Sequence, residues 1–423
     1  MPSAATSVQF QTEAIVHRLL ALPAVRAAQA EIRERYFVPR ARDERARQRI
    51  DAAISEMSVA AALAVAGGDP GHPRLTWYEC PPHTSFGVPI AGGRYGFDNP
   101  DRAFRYFFTD PAYRYEIRGQ RPLDDRASFY LLLESCERKP PGWGYPLAFL
   151  YMDAIDFAAD GSFVITVDAT PTAGRRNHLH LPSDSAHVLI RETMLDWNRQ
   201  MPTPLSVVRV TGPALPPLDF ATMSARIADE VRAQAANEFL WYDHALRHVE
   251  DNTLALPQIR PAPPGAVPWG MTTTGRYALE EDEAFVFTLD RETARYLGIL
   301  VADPWMISID YARRTSCLNH TEVAANSDGT VTYVVAGRDP GYRNWLDCGD
   351  VGSGVILVRW ELLQKTPDPA TTVKGARRVP WKDLESALPF PMPKVTPSER
   401  REQVRARAEG IARRERLLIE AGP

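Results

Sequence analysis

Two stretches of alternation organise this chain. Phe163, Ile165 and Val167 share one side of an extended segment, and Val331, Tyr333 and Val335 share one side of another. A period of two marks a half-buried strand. Each stretch follows a turn pair, Asp160-Gly161 or Asp328-Gly329. Glycine takes positive φ cheaply there, and aspartate bonds its own backbone. Apolar runs at 187–191 and 355–359 predict a closing strand in each region. Other segments carry a helical period. Ile15, Leu19, Leu20, Leu22 and Val25 predict a helix over 8–35, kinked or split at Pro23. Residues 41–66, Arg-rich and then Ala-rich, predict a second helix closing at Gly67-Gly68. Residues 218–252 predict the longest helix, with Asp219 as N-cap. The tail from Thr396 predicts a helix with Pro397 at its first position and Glu399 completing a capping box.

The two alternating stretches belong to a duplication. Residues 160–191 and 328–359 align with a drift of one residue: Gly174 with Gly341, Arg176-Asn177 with Arg343-Asn344, Arg191 with Arg359. Upstream, Gly93-Arg94-Tyr95 matches Gly275-Arg276-Tyr277. So long a period excludes a solenoid and indicates two related domains. The series Asp-Gly, Asn-Trp-Leu and Arg, with Trp305 and the 307–311 strand upstream, resembles the bacterial domain of unknown function 1214 over roughly residues 269–363. Residues 92–199 resemble it less, with His178 where the other copy has Trp345. The resemblance implies a β-sandwich-like fold and supplies no catalytic residues.

The predicted class is α+β, mainly β. It comprises two tandem β-sandwich or jelly-roll-like domains with an N-terminal helical segment, a long central helix and a C-terminal helix. The expected divisions are 1–75 helical, 76–215 first β domain, 216–256 connecting helix, 257–365 second β domain, and 366–423 Pro-rich linker and terminal helix.

A chain of 423 residues, 44% hydrophobic and 24% charged, is ordinary for a globular protein. The net charge of −4 argues against nucleic acid as a partner. The four cysteines, Cys80, Cys136, Cys317 and Cys348, form no C-x-x-C pair, which suggests free thiols in a reducing compartment. No leader pattern and no apolar run of about 18 residues is present, so the expectation is a cytoplasmic protein without membrane contact.

Four groups carry candidate chemistry. His178 and His180 lie two apart on an extended piece and point to one side. His320 and Glu322 form a conceivable acid–base pair without a counterpart in the first copy. These four are the candidate catalytic residues. Arg343, Asn344, Trp345 and Asp347 are the candidate ligand-binding residues, Trp345 offering a stacking face; the alternative is a structural corner kept in both copies. His244 and His248 share a helix face, but the glutamate that follows the first histidine in zinc proteases is replaced by Ala245. No metal and no cofactor is therefore expected. Arg359 is expected to pair with Asp347 or Asp350. No P-loop and no G-x-S-x-G elbow occurs.

Two functions stay open. One is an enzyme of hydratase, lyase or hydrolase type acting on a small, fairly apolar molecule in an interdomain cleft, without a nucleotide cofactor. The other is a non-catalytic ligand-binding or assembly protein. A homodimer through the C-terminal helix is the partner option besides the small ligand.

Overall fold

The computed structural model describes residues 7–85, 87–139, 142–260, 267–350 and 352–419. It is an α+β fold. α1 (Ser7–Leu20) and α2 (Pro23–Ile32) divide where Pro23 opens the second helix, a position where its missing N–H costs nothing. α3 (Glu44–Gln48) is capped by Asp43, which accepts from the Ala46 N–H at 2.7 Å. The single helix predicted for 41–66 breaks at Arg49, and α4 (Ile50–Ala66) follows. α4 is apolar on nearly all sides and is buried almost throughout, as such a helix must be.

The first β region contains β1 (Thr76–Tyr78), β2 (His83–Ser85), β3 (Val88–Ile90), β4 (Arg102–Phe108), β5 (Arg114–Gln120), β6 (Tyr130–Lys139), β7 (Gly142–Tyr151), β8 (Ser162–Asp168), β9 (His178–His180), β10 (Ser185–Thr193) and β11 (Leu205–Thr211). β2 pairs with β3 alone; the rest form sheets β1-β4-β10-β6-β7 and β11-β5-β8-β9. Phe107, Leu133, Val188 and Ile190 of the larger sheet meet Ile117, Phe163, Ile165 and Val167 of the smaller one in a shared core. The alternation at 163–167 is the inner face of β8.

α5 (Phe220–Leu246) follows, capped by Asp219, whose carboxylate accepts from the Thr222 N–H at 2.8 Å. It ends six residues before the predicted limit. The second β region contains β12 (Thr253–Leu254), β13 (Gln258–Ile259), β14 (Gly270–Ala278), β15 (Glu283–Leu289), β16 (Tyr296–Ala302), β17 (Cys317–Asn319), β18 (Val331–Ala336), β19 (Trp345–Asp347) and β20 (Ser353–Glu361); then come α6 (Pro369–Thr372), β21 (Val373–Pro380), α7 (Leu384–Ala387) and α8 (Pro397–Ile419). The sheets are β12-β14-β20-β16-β17, with β13 also on β14, and β19-β18-β15-β21. Phe285, Phe287, Tyr333 and Val335 meet Ile299, Ile356 and Val358 in their core.

The strand order repeats. β4, β10, β6 and β7 correspond to β14, β20, β16 and β17, and β11, β5, β8 and β9 to β21, β15, β18 and β19. The parallel pairing repeats too: Thr166 opposes His178, and Val334 opposes Trp345. Two sequence readings need correction. Gly93-Arg94-Tyr95 lies outside any strand, whereas Gly275-Arg276-Tyr277 lies within β14, whose counterpart is β4. The stretch after 365 is more than linker and helix, because β21 is the edge of the last sheet and pairs with β15.

Helices cover the outer faces of both larger sheets. Ala64 of α4 packs on Tyr106 and Phe108 of β4. Leu300, Val355 and Leu357 join one apolar cluster with α1, α2, α4 and α5. Strands covered on both faces lose their alternation, and β4 and β16 are buried at every position.

α8 docks by an unusual means. Arg400, Arg407 and Arg414 recur every seven residues on its buried side. Arg400 donates to the Tyr342 carbonyl at 2.6 Å. Arg407 donates to the carbonyls of Tyr311, Arg314 and Cys317 and pairs with Glu322 at 2.7 Å. Arg414 donates twice to the Pro100 carbonyl at 2.9 Å. Gly410 lets the helix close on Trp197, where a Cβ would lie 2.9 Å from the Trp197 Cβ.

Candidate functional site

The outer faces of the two larger sheets meet α5 around a cavity of about 590 Å³. That lies within the usual range of small-molecule sites, about 300–1,000 Å³. β4 supplies Phe104, β10 Arg191, β14 Thr272 and Thr274, and β20 Leu357 and Arg359; α5 supplies Asn237, Glu238 and Trp241. Tyr78-Glu79, the 95–97 segment and Met306 complete the wall. A smaller hollow of about 450 Å³ beside Asp124 and Asp160 differs in kind, since both carboxylates are solvated.

The backbone around the cavity is strained. Glu79, Phe97 and Met306 line it, and each has a positive φ, of 54°, 63° and 62°. A non-glycine residue in that region costs roughly 1–3 kcal/mol and persists only where the surroundings enforce it. The Phe97 N–H donates to the Met306 carbonyl at 2.9 Å, which ties two of the three together.

Two carboxyl groups face the cavity. Glu238 projects from α5 and accepts from the Gly96 N–H at 2.8 Å. Burial pushes it up to about 8, against the opposing effect of that N–H. Glu79 follows β1, and its Oε2 is buried without a hydrogen-bond partner. Burial raises Glu79 to about 8, with Asp98 adding to the rise and Arg191 and Arg359 opposing it. Neither carboxyl forms an ion pair among the described residues. Tyr78 and Tyr95 share a short hydroxyl–hydroxyl hydrogen bond beside them, and burial raises both phenols well above their usual value.

The cationic side is uneven. Arg191 pairs with Glu134 at 2.9 Å; burial pulls its pKa down, and the Glu134 charge more than offsets this. Arg359 donates to the Phe97 carbonyl. Burial, then repulsion from Arg102, pulls Arg359 down to about 10. Its expected partners lie elsewhere: Asp347 pairs with Arg314 at 3.2 Å and Asp350 with the same guanidinium at 3.9 Å. Arg359 is therefore a cavity residue, not the scaffold ion pair expected from sequence.

None of the eight residues singled out as catalytic or ligand-binding lines this cavity. His178 is buried in β9, its ring bonded to Thr166 Oγ1 at 2.8 Å and the Thr170 carbonyl at 2.7 Å. His180 ends the same strand, half-buried. His320 follows β17, where burial, then Arg291, lowers its pKa. Glu322 is bound to Arg407 and sits at about 7, raised by burial with Arg407 opposing. Arg343 donates to the Glu322 carbonyl at 3.0 Å. Asn344 donates to the carbonyls of Ala324 and Thr332 and accepts from the Ala324 N–H. Trp345 donates to the Ala336 carbonyl and lies under Arg400. Asp347 holds Arg314 and the Gly349 N–H. His244 and His248 do reach the cavity, at its solvent-facing mouth. Among the described residues, no group of three His, Cys, Asp or Glu side chains could hold a metal ion.

One missed residue left a signal. Ile227, Val231, Gln234, Ala235, Glu238, Tyr242 and Leu246 form the buried stripe of α5. A glutamate in such a stripe must be hydrogen-bonded or functional. Glu79, between a tyrosine and Cys80-Pro81-Pro82, left none.

The fold has a solved relative. An uncharacterised protein from Burkholderia cenocepacia superposes with a TM-score of 0.68 at 25% identity, over 88% of this chain and 97% of that one. A protein from Vibrio parahaemolyticus aligns over 77% of this chain and 98% of its own at 9% identity, but its TM-score of 0.41 carries no argument. No family model and no curated protein matches the chain.

Proposed function

We propose that the central cavity is the active site of an enzyme performing acid–base chemistry on a small, partly apolar molecule. The fold reading that goes with it is a pair of sandwich or jelly-roll-like units of the domain of unknown function 1214 type, with the site between the units. The observation that carries the proposal is the presence of Glu79 and Glu238, two buried carboxyls from separate elements, facing one cavity with no ion-pair partner among the described residues. Burial is the main cause of both rises, and the Glu238 charge adds to the rise at Glu79. A carboxyl still protonated at neutral pH can deliver a proton to a leaving or adding oxygen. Once ionised, its partner can take one from water or carbon. This suits hydration, elimination or hydrolysis.

The lining contains no cysteine or serine, and the hydroxyls of Thr273 and Thr274 donate to the carbonyls of Ala255 and Ala245. No phosphate-cradling motif is present in the chain, so the reading carries no nucleotide cofactor. No helix among the described residues is long and apolar enough to cross a membrane; a cytoplasmic location is part of the proposal.

The test is turnover. Purified protein is incubated with a panel of unsaturated, hydroxylated and esterified small molecules, and consumption is followed by mass spectrometry. Glu79→Gln and Glu238→Gln should each lower turnover at least 100-fold while ligand binding persists. A ligand that occupies the cavity of the parent protein and is never converted would instead favour the non-catalytic binding reading.

A further inference from the structure

Four guanidinium groups cluster here: Arg191, Arg260 and Arg359 line the cavity, and Arg102 stands close enough to repel the last two. Each of Arg102 and Arg191 lowers the pKa of a neighbour in this set by charge repulsion. Two are neutralised, Arg102 by Glu361 and Arg191 by Glu134. Arg359 and Arg260 have no carboxylate at ion-pair distance among the described residues. Arg359 is 8% exposed, and the Nε of Arg260 is buried without a hydrogen-bond partner. An unpaired buried cation is strongly disfavoured. The duplication shows where the imbalance arises. Glu134 opposes Leu189 in the first copy, and Leu300 opposes Leu357 at the equivalent place in the second. The second copy has an apolar residue where the first has the neutralising acid.

We propose that the cavity binds its ligand through a carboxylate seated against Arg359 and Arg260, with an apolar remainder lying along Phe97, Phe104, Met306 and Leu357. The inference rests on the cavity being a ligand site and names the chemical class of that ligand. A guanidinium offers two parallel N–H donors that match a carboxylate. A phosphate fits less well. The cavity meets the last turns of α5 at Asn237, Trp241 and His244, and that end of a helix carries partial negative charge. The cavity lacks the ring of backbone N–H groups that a helix N-terminus offers a dianion.

Calorimetric titration at pH 6.5 decides this with hexanoate and phenylacetate, their neutral amides hexanamide and phenylacetamide, and inorganic phosphate. Both acids should bind at least 10-fold more tightly than their amides and more tightly than phosphate. Arg359→Gln should weaken acid binding at least 10-fold and leave amide binding unchanged. Arg260→Gln serves as a second variant should the first fail to fold. Amides binding as tightly as the acids, phosphate displacing the acids, failure of both acids to bind, or acid binding unchanged in the folded variants would each overturn the proposal. Acid binding without any turnover of unsaturated or hydroxylated acids sinks the enzyme reading and leaves this one standing. Turnover of neutral substrates with no preference for acids does the reverse.

Discussion

Arg191 and Arg359 occupy the same place in the two copies of the duplicated unit and line the same cavity, yet among the described residues only Arg191 has a carboxylate within hydrogen-bond distance. Identical positions have thus taken opposite electrostatic states. The first copy keeps a closed ion pair; the second presents a cation to the cavity.

The same substitution should therefore have opposite consequences. Arg191→Met strands Glu134, whose side chain is 2% exposed, and should cost about 3–5 kcal/mol. Arg359→Met strands no acid, and its stability should stay within about 1 kcal/mol of the parent. Urea denaturation of both variants measures the difference. Equal losses would refute the asymmetry.

Glu238 should make the protein less stable as pH rises. The folded state holds its proton up to about 8, whereas an ordinary glutamate releases it near 4.5. Its stabilising share is complete below 4.5 and falls through that window by about 1.4 kcal/mol per pH unit. Glutamine cannot ionise and still accepts from the Gly96 N–H. Glu238→Gln should match the parent's Tm at pH 4.5 and exceed it at pH 9. A thermal scan across that range showing parallel curves would remove the buried-carboxyl assignment.

Asn344 and Asn177 should prove to be scaffold residues. Asn344 clasps Ala324 and Thr332; Asn177 makes the same three bonds to Asp156 and Val164, the latter aligned with Thr332. Each alanine variant leaves backbone groups unsatisfied at about 1–3 kcal/mol apiece. Asn344 is buried and Asn177 only half-buried, so Asn344→Ala should lose more. Folded Asn344→Ala should bind cavity ligands like the parent. Chemical denaturation and titration together check both statements.

Gly410→Leu should undock α8. Its new side chain would run into the Trp197 backbone, already 3.1 Å from where a Cβ would sit. Hydrogen exchange should show protection lost along 397–414 with the sheets still protected. Unchanged protection there would contradict the close approach.

β8 was legible because its core-facing positions alternate with more open ones, as Ile165 shows; β18, though buried at every position, was legible because Asp328-Gly329 matches the turn before β8. β4 and β16 were not, because helices and the opposing sheet cover their second face and leave no polar side. The site was hidden for a related reason. Sequence reasoning favours polar pairs close in the chain, such as His178 with His180 and His320 with Glu322. The groups that face the cavity come from a helix stripe, a strained link after β1 and two strand ends, more than 150 residues apart between Glu79 and Glu238. Only the Arg191–Arg359 correspondence was visible beforehand, and duplication made it read as scaffold.

The three arginines of α8 give the chain a late fastening. Arg414 grips the carbonyl of Pro100, just before β4, while Arg407 and Arg400 grip Cys317 and Tyr342, about 220 to 240 residues further along. Synthesis runs from the N-terminus, so both β regions emerge before the segment that laces them together. Until α8 is free to bend back, the two β regions are joined without their strap. Its grip is largely on carbonyl oxygens, which every unfinished strand also displays. The link between the two regions is thereby completed only when the last helix finds Trp197 and closes over it.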